Sequence, residues 1–228
     1  MKLEKITSLH GRRYEDACGT ALGLEILGER WALLVVRELM LGPKRFGDLR
    51  ASLPGLSANV LTQRLEGLEA AGVVVRRKLP PPASVQVYGL TEWGLEAEPI
   101  IQAMGRWAAR SPDHDPTLPL SPVGLMLSFR TMFDPVKAGG AQTVLGFRFG
   151  PESFVVRVSD GLLTAARTEP SGAEAVVTAT PEAMAGVVYG PEAEAASQLA
   201  ALTVDGDAQA VLRFARWFEL PSKASVVR

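Results

Sequence analysis

The chain has 228 residues, of which 47% are hydrophobic and 21% are charged, so its composition is that of a folded protein rather than a disordered one. The net charge of −1 excludes nucleic-acid binding through overall charge, although residues 1–112 hold 15 basic and 12 acidic residues and residues 113–228 hold 9 and 13. One cysteine and two distant histidines exclude an internal disulfide and a Cys/His metal site, and no apolar run is long enough to span a membrane. We therefore expect a cytoplasmic protein of two domains, with no metal, no cofactor and no membrane partner.

Three helices are predicted at the start of the chain. Apolar residues at helical spacing predict one helix over residues 14–28 and a second over residues 29–41. A short third helix is predicted over residues 46–53, and a tight turn follows it at Pro54-Gly55-Leu56.

The fourth helix carries the most informative pattern. Ser57 is a suitable N-cap for it, because the hydroxyl can accept an early backbone N–H. At 100° per residue, the stripe that faces the core consists of Leu61, Leu65 and Leu68. The opposite side carries the amides of Asn59 and Gln63, with the hydroxyl of Thr62 at its edge.

These polar side chains suit contacts in a DNA major groove, and Ser57 is also predicted to contact DNA. The amides of Asn59 and Gln63 can pair with adenine, and Arg64 can contact phosphate or guanine. On an isolated helix the same pattern is equally typical of a solvated face. The assignment to DNA therefore depends on the elements around this helix.

A basic β-hairpin follows the fourth helix. Residues 73–79 and 84–90 are predicted strands on either side of a proline-rich turn. The side chains expected to contact phosphate or the minor groove are Arg76, Arg77 and Lys78, and the alternative for them is a solvated strand edge. Lys44 and Arg45 precede the third helix, where the backbone N–H groups of a helix start also attract phosphate.

A helix is then predicted from Thr91, as its cap, to about Arg110. Ile101, Met104 and Trp107 are apolar residues on this helix, and they need a cover. We expect them to form the interface of a homodimer, because one small DNA-binding domain covers too little DNA for tight specific binding.

Residues 111–119 are predicted to be a linker between a domain of residues 1–110 and a second domain of residues 120–228. In the second domain the pattern predicts a helix and four strands, then a helix capped by Thr180 and a last helix capped by Asp207. The predicted helix and strands are Leu125–Phe133, Val144–Phe149, Phe154–Val158, Leu162–Thr168 and Ala175–Thr180. The fold class is therefore α+β, with a mostly antiparallel sheet.

The last helix presents Phe214, Trp217 and Phe218. These side chains are expected to line a pocket for a small hydrophobic ligand, because small-molecule sites are typically apolar with few polar groups. The alternative is that they simply fill the core of the domain.

The first half of the chain resembles the HxlR-type winged helix-turn-helix transcriptional regulators over residues 14–110. The matching residues are Cys18, Gly28–Leu39, Gly42–Phe46, Ser57–Leu65, Glu69–Val73 and Tyr88–Gly94. The resemblance implies a bacterial or archaeal regulator that dimerises through its first and last helices and binds a near-palindromic operator on double-stranded DNA. This chain has Gly94-Leu95 where such regulators usually have a glycine followed by a basic residue.

The second half resembles, more loosely, the sterol-carrier-protein-2 type domain. The matching segments are Ser159–Leu162, Thr178–Glu182 and Val204–Asp207. That resemblance implies a hydrophobic cavity under the sheet for lipid-like ligands, and no residue marks a ligand, so the implication extends only to the fold.

No nucleophile and base can be assembled from the two histidines, so the chain is not expected to be an enzyme. The sequence predicts a DNA-binding regulator that a ligand of the second domain modulates. The alternatives are a ligand carrier tethered to DNA, a second domain that only strengthens the dimer, or a thiol-based redox sensor. The sensor would use Cys18, whose thiol pKa the Arg12-Arg13 pair could lower and whose other role is that of a small buried hydrophobe.

Overall fold

The computed structural model describes residues 14–225 and divides the chain into two compact units, with the division between Glu98 and Pro99. Among residues 14–225, no helix combines the length and the hydropathy needed to cross a bilayer.

The first unit contains helices followed by a hairpin. In chain order they are α1 (Gly19–Leu27), α2 (Ala32–Leu39), α3 (Phe46–Ser52), α4 (Ala58–Ala70), β1 (Val74–Lys78), β2 (Gln86–Leu90) and α5 (Glu92–Leu95). The predicted caps of α4 are confirmed: Ser57 Oγ accepts the Val60 N–H at 3.3 Å, and Gly72 lies beyond the last turn with φ +77°.

The core of this unit lies between α2, α3 and α4. The side chains that are no more than 2% exposed include Val35, Val36, Leu39, Leu49, Leu61, Leu65 and Leu68. The leucines of α4 are the stripe that the sequence predicts, so the opposite side of α4 faces solvent.

The predicted hairpin is confirmed as an antiparallel pair, in which Arg76 lies opposite Tyr88 and Lys78 lies opposite Gln86. Lys44 extends this small sheet, because its backbone exchanges two hydrogen bonds of 2.9 Å with the backbone of Tyr88. The hairpin is therefore attached to the segment between α2 and α3.

The prediction of one continuous helix from Thr91 to Arg110 is wrong. Thr91 does cap a helix, since its Oγ1 accepts the Gly94 N–H at 3.0 Å, but α5 ends at Leu95 and α6 (Glu98–Ala108) begins three residues later. Pro99 explains the restart, because proline favours the first turn of a helix and has no N–H to continue an earlier one.

The second unit contains a sheet with helices. After most of α6, its elements are α7 (Pro122–Met132), α8 (Pro135–Ala138), β3 (Thr143–Phe149), β4 (Glu152–Ser159), β5 (Leu162–Arg167), β6 (Ala175–Thr178), α9 (Pro181–Tyr189), α10 (Glu192–Ala200), β7 (Thr203–Gly206) and α11 (Ala208–Ala215). The strand order is β5-β4-β3-β6-β7, in which only β3 and β6 pair in parallel. The prediction of an α+β unit with a mostly antiparallel sheet is therefore confirmed.

The caps predicted for this unit are also present, since Thr180 Oγ1 accepts from the Ala183 N–H and Asp207 accepts from the Gln209 N–H. The short elements α8, α10 and β7 are not predicted by the sequence. Strand β7 covers only four residues, and its Asp205-Gly206 end is the type of dipeptide that indicates a turn.

Helix α6 is attached to the second unit by hydrogen bonds at its C-terminal half. The Arg106 guanidinium donates to the carbonyl of Thr131 in α7, and Lys223 Nζ donates to the carbonyls of Ala109 and Ser111 at 3.1 and 2.9 Å. The Ala224 N–H donates to the Arg110 carbonyl at 2.7 Å. The unit therefore begins ahead of residues 111–119, where the sequence predicts the linker.

Candidate nucleic-acid interface

The solvent side of α4 carries a row of polar side chains. Asn59, Thr62, Gln63 and Glu66 are exposed, and they occupy positions opposite the buried leucines. Within residues 14–225, the side-chain amides of Asn59 and Gln63 have no intramolecular partner. Each amide offers a donor and an acceptor side by side, the combination that an adenine edge requires.

Two hydroxyl groups at the start of α4 are partly engaged. Ser57 Oγ accepts the Val60 N–H, and Thr62 Oγ1 donates to the Ala58 carbonyl at 3.0 Å. A hydroxyl oxygen that donates one bond can still accept others. Both residues are exposed, so their predicted DNA contacts remain open as predictions.

The prediction that Lys44 contacts phosphate is wrong. Its side chain is 1% exposed, and Nζ lies 3.1 Å from a carboxylate oxygen of Glu38 and 2.9 Å from Ser52 Oγ. The other oxygen of Glu38, whose side chain is fully buried, accepts from Arg37. The ammonium is therefore part of an internal ion pair. The sequence gives no signal that distinguishes a lysine buried in an ion pair beside a helix start from a lysine that binds phosphate there.

The Arg64 guanidinium is engaged by intramolecular bonds. Its Nε donates to the Arg30 carbonyl at 2.9 Å, and its guanidinium lies 2.9 Å from a carboxylate oxygen of Glu29. Both partners lie between α1 and α2, so Arg64 fixes α4 to that segment. A contact of Arg64 with phosphate or guanine would require these bonds to break.

The cations of the hairpin have the exposure that a DNA contact needs. Arg76, Arg77 and Lys78 are all exposed. Arg76 Nε lies 3.7 Å from Glu69 Oε1 in α4, a distance at which an ion pair is weak. The Arg77 guanidinium lies over Gly89, where a Cβ atom would come within 3.0 Å of it. Arg45, at the N-cap position of α3, is exposed as well.

The surface of α6 differs in chemistry from that of α4. None of its residues is buried, and Ile100, Met104 and Trp107 are 52%, 50% and 74% exposed. With Pro99 and Ala103 these residues line an open apolar groove of about 570 Å³. Met104 and Trp107 are thus exposed on the surface that the sequence predicts for a dimer. Ile101, also predicted there, is half-buried, and the exposed isoleucine beside Met104 and Trp107 is Ile100. The spacing of Ile100 with Met104 and Trp107, at i, i+4 and i+7, is the signal that identifies it.

The aromatic side chain in the last turn of α11 and the two that follow this helix pack inside the second unit. The ring centroids of Phe214 and Phe218 lie 4.7 Å apart, and those of Phe214 and Trp217 lie 5.8 Å apart. Phe129 of α7 contacts both phenylalanines, at 5.3 and 5.2 Å. All three predicted pocket residues are at most 9% exposed, so these rings fill core space with one another, as the alternative from sequence requires.

Cys18 is exposed at the N-cap position of α1, and the prediction of a small buried hydrophobe there is wrong. Hydrogen bonds from the Thr20 hydroxyl and from the backbone N–H groups of Thr20 and Ala21 lower the pKa of the thiol from its usual value. The Arg12-Arg13 pair lies outside the described residues. Among residues 14–225, no three His, Cys, Asp or Glu side chains come together as a metal site.

A winged helix-turn-helix protein is defined by this order of elements: α2 and α3, then the polar helix α4, then the antiparallel basic hairpin. The model of the HxlR-like helix-turn-helix family matches residues 26–115. The HTH-type transcriptional regulator YvaP of Bacillus subtilis (strain 168) is 40% identical over 85 residues, which are 37% of this chain and 79% of YvaP. The chain belongs to the HxlR-like helix-turn-helix family.

Another curated relative and a solved structure are also similar to this chain. The HTH-type transcriptional regulator YodB of the same organism is 39% identical over 83 residues, which are 36% of this chain and 74% of YodB. The solved structure of reduced YodB covers 44% of this chain and all of its own, with 33% identity and a TM-score of 0.40. These relatives are named as transcriptional regulators, which are not enzymes, in agreement with the prediction that this chain is not one.

Proposed function

We propose that the protein is a sequence-specific transcriptional regulator that binds a near-palindromic operator as a homodimer. The observation that carries the proposal is the exposed row of Asn59, Thr62 and Gln63 on a helix whose other side is anchored in the core. Side chains on a rigid helix can contact base edges in the major groove, while the exposed cations of the hairpin contact phosphate without regard to sequence.

The two kinds of contact can be separated by experiment. Full-length protein is used to enrich fragments of genomic DNA, and the enriched sequences are compared with those from Asn59→Ala/Gln63→Ala. The wild type is expected to enrich a defined sequence that the variant does not. Gln209→Ala removes an exposed amide from α11 and is the matched control. Equal enrichment by the wild type and the α4 variant would remove α4 from recognition.

The dimer is proposed because of the exposed surface of helix α6. Its apolar groove holds a tryptophan that is 74% exposed, and burying such a surface against a second copy removes it from water. In a two-fold dimer the recognition helices can contact two half-sites about one turn of DNA apart. Sedimentation at micromolar concentration should show a dimer for the wild type and a monomer for Trp107→Glu.

For the second unit we propose a sterol-carrier-protein-2-like fold that binds a small hydrophobic ligand and changes operator affinity. The proposal is supported by the cap at Thr180 and the helix after Asp207, which lie in segments on which that resemblance rests. Because the rings of Phe214, Trp217 and Phe218 are packed together, a ligand must displace them or bind beside them. A ligand of the second unit would act on the dimer through α6, because this unit contains the helix that carries the proposed interface.

A ligand can change operator affinity only by preferring one arrangement of the dimer over another. Fatty acids, sterols and hydrophobic aromatics are titrated while tryptophan fluorescence and operator affinity are followed together. Binding without a change in operator affinity would support a ligand carrier tethered to DNA. No binding at all would leave the unit with the role of strengthening the dimer.

A thiol-based sensor is the second candidate function, and the exposed, acidified thiol of Cys18 is the observation that favours it. One solved relative is described as the redox regulator HypR in its oxidized form, at 31% identity and a TM-score of 0.40 over 42% of this chain and all of its own. Treatment with a quinone or diamide should then change operator affinity in the wild type and not in Cys18→Ser.

A further inference from the structure

Lys44 is the point at which three elements of the DNA-binding unit meet. Its ammonium bonds Glu38 in α2 at 3.1 Å and Ser52 in α3 at 2.9 Å. Its backbone N–H donates to the carbonyl of Tyr88 in β2, and its carbonyl accepts the Tyr88 N–H, both at 2.9 Å. One residue therefore joins the helices of the first unit to the hairpin.

The hairpin is also held at its inner end by buried side chains of both strands. It is a two-stranded sheet, which is marginally stable alone, and its tip is exposed from Arg76 to Gln86 apart from half-buried Leu79 and Val85. The backbone pair at Lys44 gives β2 a second neighbour along its inner end. The position of residue 44 is fixed in turn by its buried side chain, because an ammonium that is 1% exposed must keep its anionic partner.

We infer that Lys44 is a positioning residue: its buried bond to Glu38 sets where the hairpin presents Arg76, Arg77 and Lys78 to phosphate. The inference rests on the proposed DNA binding and goes beyond it, because it assigns an effect on DNA affinity to a cation that cannot touch DNA. The hairpin cations act at the surface, and Lys44 acts through the backbone of Tyr88.

The test is a pair of double-mutant cycles on operator affinity with full-length protein. Glu38→Gln/Lys44→Met removes both buried charges together, so that neither is left unpaired. It is combined with Arg76→Ala/Arg77→Ala/Lys78→Ala in one cycle and with Asn59→Ala in the other. Folding of each variant is checked by circular dichroism and by its unfolding midpoint, and binding is measured well below that midpoint.

If Lys44 positions the hairpin, loss of the three cations weakens binding about tenfold less in the Glu38→Gln/Lys44→Met background than in the wild type. The salt dependence of binding is also shallower in that background before any hairpin cation is removed, since fewer phosphates are contacted. The effect of Asn59→Ala changes by less than the effect of the hairpin variant. A role in stability alone lowers the folded fraction and acts equally in both cycles.

Equal effects of the hairpin variant in both backgrounds overturn the inference while the DNA-binding proposal stands. If the hairpin variant has no effect in the wild type either, the proposed role of the hairpin itself fails. Should Glu38→Gln/Lys44→Met not fold, Glu38→Asp takes its place, because it keeps both charges and shortens by one methylene the side chain that holds the ammonium. The expected coupling is then about threefold, and its absence overturns the inference equally.

Discussion

Helices α4 and α6 are both short amphipathic helices with one exposed side, yet they expose opposite chemistry. Helix α4 buries three leucines and presents amides and a hydroxyl to solvent, whereas α6 buries none of its residues and presents Ile100, Met104 and Trp107. Polar groups on a rigid helix can form hydrogen bonds with a polar partner, while an exposed apolar surface gains by leaving water. Because of this difference, we propose DNA as the partner of α4 and a second copy of the chain as the partner of α6.

A charge placed on the apolar side of α6 should have the largest effect on assembly and on DNA binding. Met104→Glu or Trp107→Glu would bury a charge at the proposed interface, so a dimer should not form. Loss of simultaneous binding to two half-sites should weaken operator affinity by roughly 10²- to 10⁴-fold. Analytical ultracentrifugation and a binding titration measure the two effects. Gln209→Glu, on α11, is the control, and a dimer with wild-type affinity in the α6 variants would contradict the assignment.

Removing the buried partner of Lys44 should give the next largest effect, on stability rather than on assembly. Glu38→Ala leaves the ammonium buried without its carboxylate, and we expect a loss of about 3–5 kcal/mol in the free energy of unfolding. Denaturant unfolding measures it. The exposed pair of Lys137 and Glu219 offers a control, since Glu219→Ala should cost little. A small loss in both variants would mean that Lys44 reaches solvent.

The amide side of α4 is the next target. Asn59→Ala and Gln63→Ala should each weaken operator binding by about 1–3 kcal/mol if they make paired base contacts. Binding to unrelated DNA should stay nearly constant, because it depends on phosphates. A competition titration with both DNAs gives the two affinities. Parallel loss on both would indicate damage to the fold instead of lost base contacts.

The hairpin should show the reverse pattern. For Arg76→Ala, Arg77→Ala and Lys78→Ala combined, the plot of log affinity against log salt should become shallower by about one unit for each lost phosphate contact. A dimer loses two such contacts for each residue that contacts phosphate. Specific and non-specific DNA should be affected alike. Arg64→Ala is the comparison, because its guanidinium is bound within the protein and its loss should leave the slope unchanged. An unchanged slope in the hairpin variant would mean that these cations face away from DNA.

The smallest effect is expected at Cys18. Since hydrogen bonds from Thr20 and Ala21 lower its pKa, the thiolate should form at a lower pH than in an ordinary exposed cysteine. Alkylation of the thiol measured against pH should therefore have its midpoint below the usual thiol value, and Thr20→Val should move that midpoint upward. A midpoint at the usual value in both proteins would remove the reason to consider Cys18 a sensor.

The parts of this fold that the sequence predicts are those set by local rules. The leucine stripe of α4, its Ser57 cap and the glycine beyond its end follow from spacing and capping alone, and the structure has all of them. The exposed amides follow from the same periodicity. Strand β7 does not, because four residues ending in Asp205-Gly206 become a strand only through pairing with β6.

The basic residues show which part of the candidate site the sequence does not predict. Lys44 and Arg64 have the same local signals as Arg76 and Lys78, yet the first two are bound to Glu38 and Glu29 and the others are exposed. Which cation finds an internal carboxylate depends on contacts between helices that no local pattern encodes. The attachment of α6 to the second unit has the same origin, since Lys223 donates to the carbonyl of Ser111, which lies just beyond α6 and 112 residues away.

In the proposed complex, two copies of α4, held together by the dimer, contact one operator. The direct measurement is selection of binding sites by the full-length protein from random double-stranded oligonucleotides at physiological salt. We predict an enriched sequence with two-fold symmetry and half-sites about 10 base pairs apart, which Asn59→Ala/Gln63→Ala does not enrich. Enrichment of no sequence, or of a single half-site with the protein bound as a monomer, would contradict it.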